Sequence, residues 1–213
     1  MTDTRQLFAT PFIIDRLQSE AGIAMLRDAV DAEMMRDRQG VSISNIGGWH
    51  SNTNMLEWGG EAAKALVFKA MTMADEASVD IKSPDASRFG WHPELWANVS
   101  QKGDANQYHT HPGSYWSAVA YVDDGYESDA DPQLGGELQL LDPRSPMVQM
   151  AAPDLRMKGA DGAPQSHEIS IRPQTGMIVM FPSWLQHAVR PFKGEGTRIS
   201  IAINLSAGMK KPH

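Results

Sequence analysis

The chain has 213 residues, long enough for one sizeable core and within the range where all-β sandwiches and barrels remain one domain. Its 19 basic and 26 acidic residues leave a net charge of −7, and the Lys and Arg are scattered, which argues against nucleic acid as a partner. With no cysteine, disulfides and thiolate metal sites are excluded, so a transition metal would have to be held by imidazole, carboxylate or water.

No apolar stretch approaches a membrane span, and Met1-Thr2-Asp3-Thr4-Arg5 lacks the apolar segment of a signal peptide; the expectation is a soluble cytoplasmic protein. Taken in chain order, Ile23, Leu26, Val30 and Met34 recur at spacings of three and four and predict an amphipathic helix. Asn45 to Asn52 reads as a polar loop of turn formers around Trp49. After the Gly59-Gly60 break, Ala63, Leu66, Val67, Ala70 and Ala74 predict a second amphipathic helix. Both helices are expected to brace a sheet, giving a helical region over 1–87 within a single domain spanning 1–213.

From Arg88 the texture changes to short runs rich in Trp, Tyr, Val and Ile, punctuated by Gly, Pro and Asp, as antiparallel β structure requires. Strands are predicted over Trp91–Ser100, Gln107–His111, Ser117–Val122, Glu137–Leu141, Glu168–Ile171, Met177–Phe181 and Thr197–Leu205. The last alternates, with Arg198, Ser200, Ala202 and Asn204 on one face and Ile199, Ile201, Ile203 and Leu205 on the other. Its apolar face should meet the helices, while its polar face would look to solvent or into a cavity. Asp142 to His167 has no period and is long for a plain connection, which suggests a hairpin insertion or lid; Asp123 to Pro132 reads as a solvated loop.

Among seven histidines, His50, His92, His167 and His213 read as surface or hydrogen-bonded residues. His109 and His111 stand out, because a spacing of two on a strand puts both rings on one face, where a shared cation is the simplest reason for the pairing. His187 follows the apolar strand Met177–Phe181 and is placed to add a third imidazole. Arg198 and Ser200 offer a guanidinium fork and a hydroxyl on one strand face, suited to a carboxylate. The alternative for Arg198 is a surface cation paired with Glu195.

These residues resemble the iron(II) and 2-oxoglutarate dependent oxygenases, in particular the prolyl-hydroxylase-like branch and small bacterial and phage members, over roughly residues 90 to 205. The resemblance implies a double-stranded β-helix core (a jelly roll, cupin-like) over 88–205, mostly β with N-terminal helices. It implies Fe(II) held by His109, His111 and His187, with 2-oxoglutarate as cosubstrate. The far carboxylate of that cosubstrate would be bound by Arg198, Ser200 and Tyr121, with Asn98 a further contact. The expected activity is a dioxygenase that converts 2-oxoglutarate to succinate and hydroxylates a small-molecule or peptide substrate. The departure is at position 111, where the family's usual carboxylate is a histidine; Asp104 and Glu137 are weaker alternative ligands. Three neutral imidazoles leave the metal's charge undiminished and favour a dianionic chelator.

Two other readings fit the same residues. A cupin-like metal enzyme without 2-oxoglutarate is suggested by Gly103 six residues before His109, although no Glu follows His111 at three or four residues. A non-catalytic module binding a small acid would use the same pocket. Sheet edges that could pair leave the oligomeric state open, a homodimer included.

Overall fold

The computed structural model describes residues 7–127, 131–145, 152 and 154–210. Two antiparallel sheets face each other. The larger is built from β1 (Ile13–Arg16), β3 (Trp49–His50), β4 (Phe89–Ser100), β6 (Trp116–Asp123), β9 (Met177–Pro182) and β11 (Arg198–Met209), in the order β1-β9-β6-β11-β4-β3. The smaller joins β2 (Asn45–Ile46), β5 (Ala105–His109), β7 (Leu138–Leu141), β8 (Glu168–Ile171) and β10 (His187–Val189), in the order β2-β5-β10-β7-β8. Consecutive strands alternate between the sheets through much of the β region, as in a jelly roll.

The helices cover the outer face of the larger sheet. Helix α1 (Glu20–Arg36) starts where the Ser19 side chain accepts the Gly22 N–H at 2.9 Å, a cap that satisfies one of the free first-turn donors. A four-residue turn, α2 (Met55–Trp58), leads into α3 (Gly60–Glu76), whose face of Ala63, Leu66, Val67, Ala70 and Ala74 is fully buried. That face meets Ile199, Ile201, Ile203 and Leu205 of β11 in the main apolar cluster. Small residues on α3 let the helix approach the sheet closely, and the branched residues of β11 fill the pleats between. The other face of the larger sheet packs on the smaller one through Tyr121, Leu138, Leu140, Val179, Phe181 and Leu185.

Strand β11 is the axis of the fold. It pairs with β4 along twelve residues, Arg198 opposite Ser100 and Ser200 opposite Asn98, and with β6 on its other side, Ser200 opposite Tyr121. Asn98, Ser200 and Tyr121 therefore form one row across three strands.

The structure differs from the sequence expectation at several points. The loop Asn45 to Asn52 contributes β2 and β3, one edge strand to each sheet, so the first 87 residues supply strands as well as helices. Two-residue strands are too short to show alternation, and their pairing comes from β5 and β4. Strand β11 continues to Met209, beyond the predicted Leu205, because β4 begins at Phe89 and carries its partner along. Strand β5 ends at His109 rather than His111. Of the insert Asp142 to His167, residues 146–151 and 153 lie outside the described residues; the rest contains a short bridge of Lys158 with Pro164. Residues 128–130 of the loop Asp123 to Pro132, and His213, lie outside them as well.

Candidate metal centre

His109 and His187 are direct cross-strand partners on β5 and β10, and their rings stand 4.3 Å apart between centroids. His111 is past the strand end. Its backbone N–H donates to the Ser183 carbonyl at 3.0 Å, and the turn is closed by Ser114 N–H donating back to His111 at 3.2 Å over Gly113 at φ +92°, a left-handed conformation that glycine adopts without strain. The Ser183 to Gln186 turn leads directly into His187, so one backbone contact sets two of the three rings. The ring centroids of His111 lie 5.0 Å from those of both His109 and His187. One nitrogen from each residue falls within 4.8 Å of the others, and this is the group of three such ligands found among the described residues.

The hydrogen bonds select the tautomers. Nδ1 of His109 faces the Gln107 carbonyl at 2.7 Å and Nδ1 of His187 faces the Leu185 carbonyl at 2.8 Å. A carbonyl only accepts, so each Nδ1 carries the proton and each Nε2 presents a lone pair. His111 Nε2 stands 3.3 Å from His187 Nε2. Two cis nitrogens bound at about 2.1 Å to one cation lie about 3 Å apart, so the spacing fits a shared transition metal. Burial, with His109 adding to it, lowers His187 to about 3 and His111 to about 4; burial also lowers His109. Burial thus favours the neutral form of all three rings, the form that offers a lone pair to a cation.

Neither alternative ligand joins them. Asp104 Oδ2 accepts the Gln101 N–H at 2.7 Å in the β4–β5 turn, and Glu137 lies 3.9 Å from Arg190.

Arg198 is 1% exposed and forms no ion pair among the described residues. Glu195, the partner weighed for it from sequence, binds Lys102 instead. The Arg198 guanidinium donates through Nη1 to Ser200 Oγ at 3.3 Å and lies 5.2 Å from the Tyr121 ring centre, while its Nε has no partner. The Tyr121 hydroxyl is likewise buried and unpaired, its pKa raised by burial and partly offset by the guanidinium. Buried donors without partners cost stability, so their convergence on one cavity points to a ligand that completes them.

That cavity, about 50 Å³, runs between the sheets from the three imidazoles to Arg198, lined also by Asn98, Ser200 and Tyr121. It brings together all seven site residues expected from the sequence. A wider cleft of about 340 Å³ shares His109, His111, Trp96 and Asn204 with it and reaches Thr53 and Glu94 at the surface. Three residues in this region escaped sequence reasoning. Trp96 lies 5.5 Å from the His111 ring and stacks on His50, which is buried and bound through Nδ1 to the Ser51 carbonyl at 2.6 Å. Asn204 accepts the Ser117 hydroxyl at 2.9 Å. Only Asn204 left a signal, its place on the polar face of β11.

Residues 94–204, more than half of the chain, match the family model described as 2OG-Fe(II) oxygenase. The chain belongs to this oxygenase family. No curated protein matches it. Among solved structures, it is similar to a prolyl hydroxylase from Trichoplax adhaerens in complex with a hypoxia inducible factor peptide fragment, at TM-score 0.65 and 15% identity over 94% of this chain and 86% of that one. A prolyl-4-hydroxylase from Pseudomonas putida aligns at TM-score 0.59 and 17% identity, covering 97% and 96%. HygX from Streptomyces hygroscopicus, with nickel and 2-oxoglutarate bound, aligns at TM-score 0.56 and 13% identity, covering 92% and 83%. These likenesses show a common double-stranded β-helix fold. The family implies Fe(II) and 2-oxoglutarate, which sets the oxygenase above the cupin-like enzyme and the non-catalytic module, and the histidine cluster could form the iron site. No helix among the described residues is long and apolar enough to cross a membrane.

Proposed function

We propose that this oxygenase is a hydroxylase in which His109, His111 and His187 hold Fe(II) and Arg198, Ser200 and Tyr121 hold the far carboxylate of 2-oxoglutarate, with Asn98 beside them. The carrying observation is the buried Arg198, with no counter-ion among the described residues, opening on the same cavity as three imidazoles whose lone pairs converge. The guanidinium fork matches a carboxylate, and the Tyr121 hydroxyl adds a donor to the same anion. When bound, iron and the keto acid supply oxygen activation coupled to release of carbon dioxide and succinate. The protein's part is to orient and to exclude water. Leu138, Val119 and Phe181 wall the cavity, and Phe181 packs edge-on against His187 at 4.8 Å, limiting the freedom of that ring.

The wider cleft is the entrance for the substrate, a small molecule or a peptide, which would reach the metal past Trp96 and Asn204. The reducing cytoplasm, where iron stays ferrous, is the compartment this chemistry suits. The test is anaerobic binding of Fe(II) and 2-oxoglutarate followed by oxygen uptake and succinate release. Binding of both with slow turnover in the absence of substrate is expected; failure of purified protein to bind either one refutes the reading.

A further inference from the structure

We infer that Asn204 is a substrate-binding residue: its Nδ2 donates to a neutral carbonyl oxygen of the substrate and holds the carbon to be oxidised beside the metal without occupying a metal position. The inference rests on the iron and 2-oxoglutarate reading above and concerns what that site accepts. It starts from a buried donor that has nothing to donate to. Asn204 is 7% exposed on β11, a strand paired on both sides, with Ser117 of β6 and Glu94 of β4 as its cross-strand neighbours. The Ser117 hydroxyl, itself buried, has Asn204 Oδ1 as its one hydrogen-bond partner among the described residues, at 2.9 Å. A buried hydroxyl left without an acceptor would cost stability, so its proton goes to Oδ1, and the amide is fixed with Nδ2 turned away from Ser117. The Asn204 side chain makes no second hydrogen bond among the described residues.

Its place is the opening of the inner cavity into the wider cleft, both of which it lines together with Trp96, His109 and His111. Trp96 is held there between the rings of His50 and His111. A substrate that reaches the metal passes Nδ2, and because an N–H only donates, the atom it holds is an acceptor. The charges nearby make that acceptor neutral. No Lys or Arg among the described residues lines the cleft, and Glu94, directly across from Asn204 on β4, stands exposed at its mouth. A carboxylate would enter past a like charge and exchange its hydration for a neutral donor, whereas an amide or ester carbonyl costs less to desolvate and meets no repulsion. The hydrogen bond then orients the substrate and leaves the remaining metal position to oxygen.

The test uses full-length protein loaded with Mn(II) and saturated with 2-oxoglutarate, with binding of both measured first on each protein. The probe is N,N-dimethylacetamide, which has a carbonyl oxygen and no donor; tetramethylammonium, of similar size, has neither. Mn(II) speeds the nuclear relaxation of protons held near it, so methyl relaxation above a zinc-loaded control reads how much probe sits beside the metal, without turnover. Wild type should relax dimethylacetamide more strongly than tetramethylammonium. Asn204→Asp keeps an oxygen for Ser117 and changes only the donor, so relaxation of dimethylacetamide should fall about threefold or more, as expected for loss of one neutral hydrogen bond. Equal relaxation of dimethylacetamide in the two proteins overturns the inference. So does a wild type that favours tetramethylammonium and loses that preference in Glu94→Gln, which assigns the cleft to a cation. So does the absence of any preference for dimethylacetamide in wild type, a result that decides the question even if Asn204→Asp fails to fold or to hold metal. Failure of wild type to bind Mn(II) and 2-oxoglutarate at all is a different result, and it sinks the oxygenase reading instead.

Discussion

Replacing Arg198 with methionine should change stability and cosubstrate binding in opposite directions. Arg198 sits 1% exposed with Nε unpaired, and its compensation is one hydroxyl at 3.3 Å and the face of Tyr121 at 5.2 Å. Burying an ion costs several kcal/mol even after relaxation, whereas a desolvated cation over an aromatic ring returns about 2 kcal/mol and the hydroxyl bond about 1.5–3 kcal/mol. Methionine keeps much of the stem's packing and drops the charge. The ligand-free variant should therefore match wild type or exceed it by about 1–2 kcal/mol. For 2-oxoglutarate the sign reverses, because truncating one partner of a buried charge pair costs about 2–5 kcal/mol, or roughly 30- to 5,000-fold in affinity.

The assay is a pair of urea melts, without ligand and with 2-oxoglutarate plus Mn(II) as an oxygen-insensitive substitute for iron. At 100 times its wild-type Kd the cosubstrate should raise wild-type stability by about 2.7 kcal/mol, and at the same concentration it should raise the variant by about 0.9 kcal/mol or less. Wild type should therefore gain about 1.8 kcal/mol or more on the variant between the two melts. A variant destabilised by more than about 2 kcal/mol without ligand, yet stabilised by 2-oxoglutarate as wild type is, would refute the assignment of Arg198 as an anion-binding residue and make it a structural one.

Tyr121→Phe removes a buried hydroxyl that has no partner, so stability should hold within about 1 kcal/mol while 2-oxoglutarate affinity, measured by calorimetry, falls about tenfold or more. His109→Ala should weaken Co(II) binding by more than about 100-fold, beyond the effect of disturbing a residue behind the ligands, with the fold preserved by circular dichroism. In metal-free protein, His187 remains neutral down to about 3, whereas in the unfolded chain it takes a proton below about 6.5. Between those values the unfolded state binds more protons, so stability must fall as pH falls, by about 2 kcal/mol at pH 5 from this residue; chelator-treated His187→Asn should show a shallower loss in melts at pH 7.5 and 5. Ile201→Ala, in the layer under α3, should cost about 2–5 kcal/mol in urea melts and leave Co(II) affinity unchanged.

What the sequence reveals of this fold follows from period and burial. The stripe on α3 and the alternation of β11 are readable because each segment has one face in the main core, and a buried face forces its pattern on the residues. Strands β2 and β3 are invisible because two residues carry no period, and α2 because a single turn carries none. The tail of β11 through Ser206, Ala207 and Gly208 lacks an apolar face and is held by pairing with β4, a long-range fact no local window contains. His111 shows how a local rule can reach the right neighbourhood by the wrong route. Strand spacing predicts that it shares a face with His109, yet the strand has ended; the ring converges because Ser183 holds its backbone. His50 looked like a loop histidine because the polar residues around it give no hint that Trp96 would cover its ring.

The two faces of β11 divide labour within one strand. Ile199, Ile201, Ile203 and Leu205 join the helices to the sheet, while Arg198, Ser200, Ala202 and Asn204 look into the cavity. Every second residue therefore carries stability, while on the other face Arg198 and Ser200 are the pair proposed to bind an anion. The imidazoles are arranged differently: His109 and His187 pair across the smaller sheet, and His111 hangs from the turn before His187. Two of the three proposed metal ligands are thus set by the smaller sheet, His111 by the turn that follows β9 of the larger one, and the proposed cosubstrate residues by the helix-braced sheet. Loosening the smaller sheet should disturb metal binding before it disturbs the Arg198 pocket. Cavities cut under α3 should lower the stability of both sheets together and spare the chemistry of each until the protein unfolds.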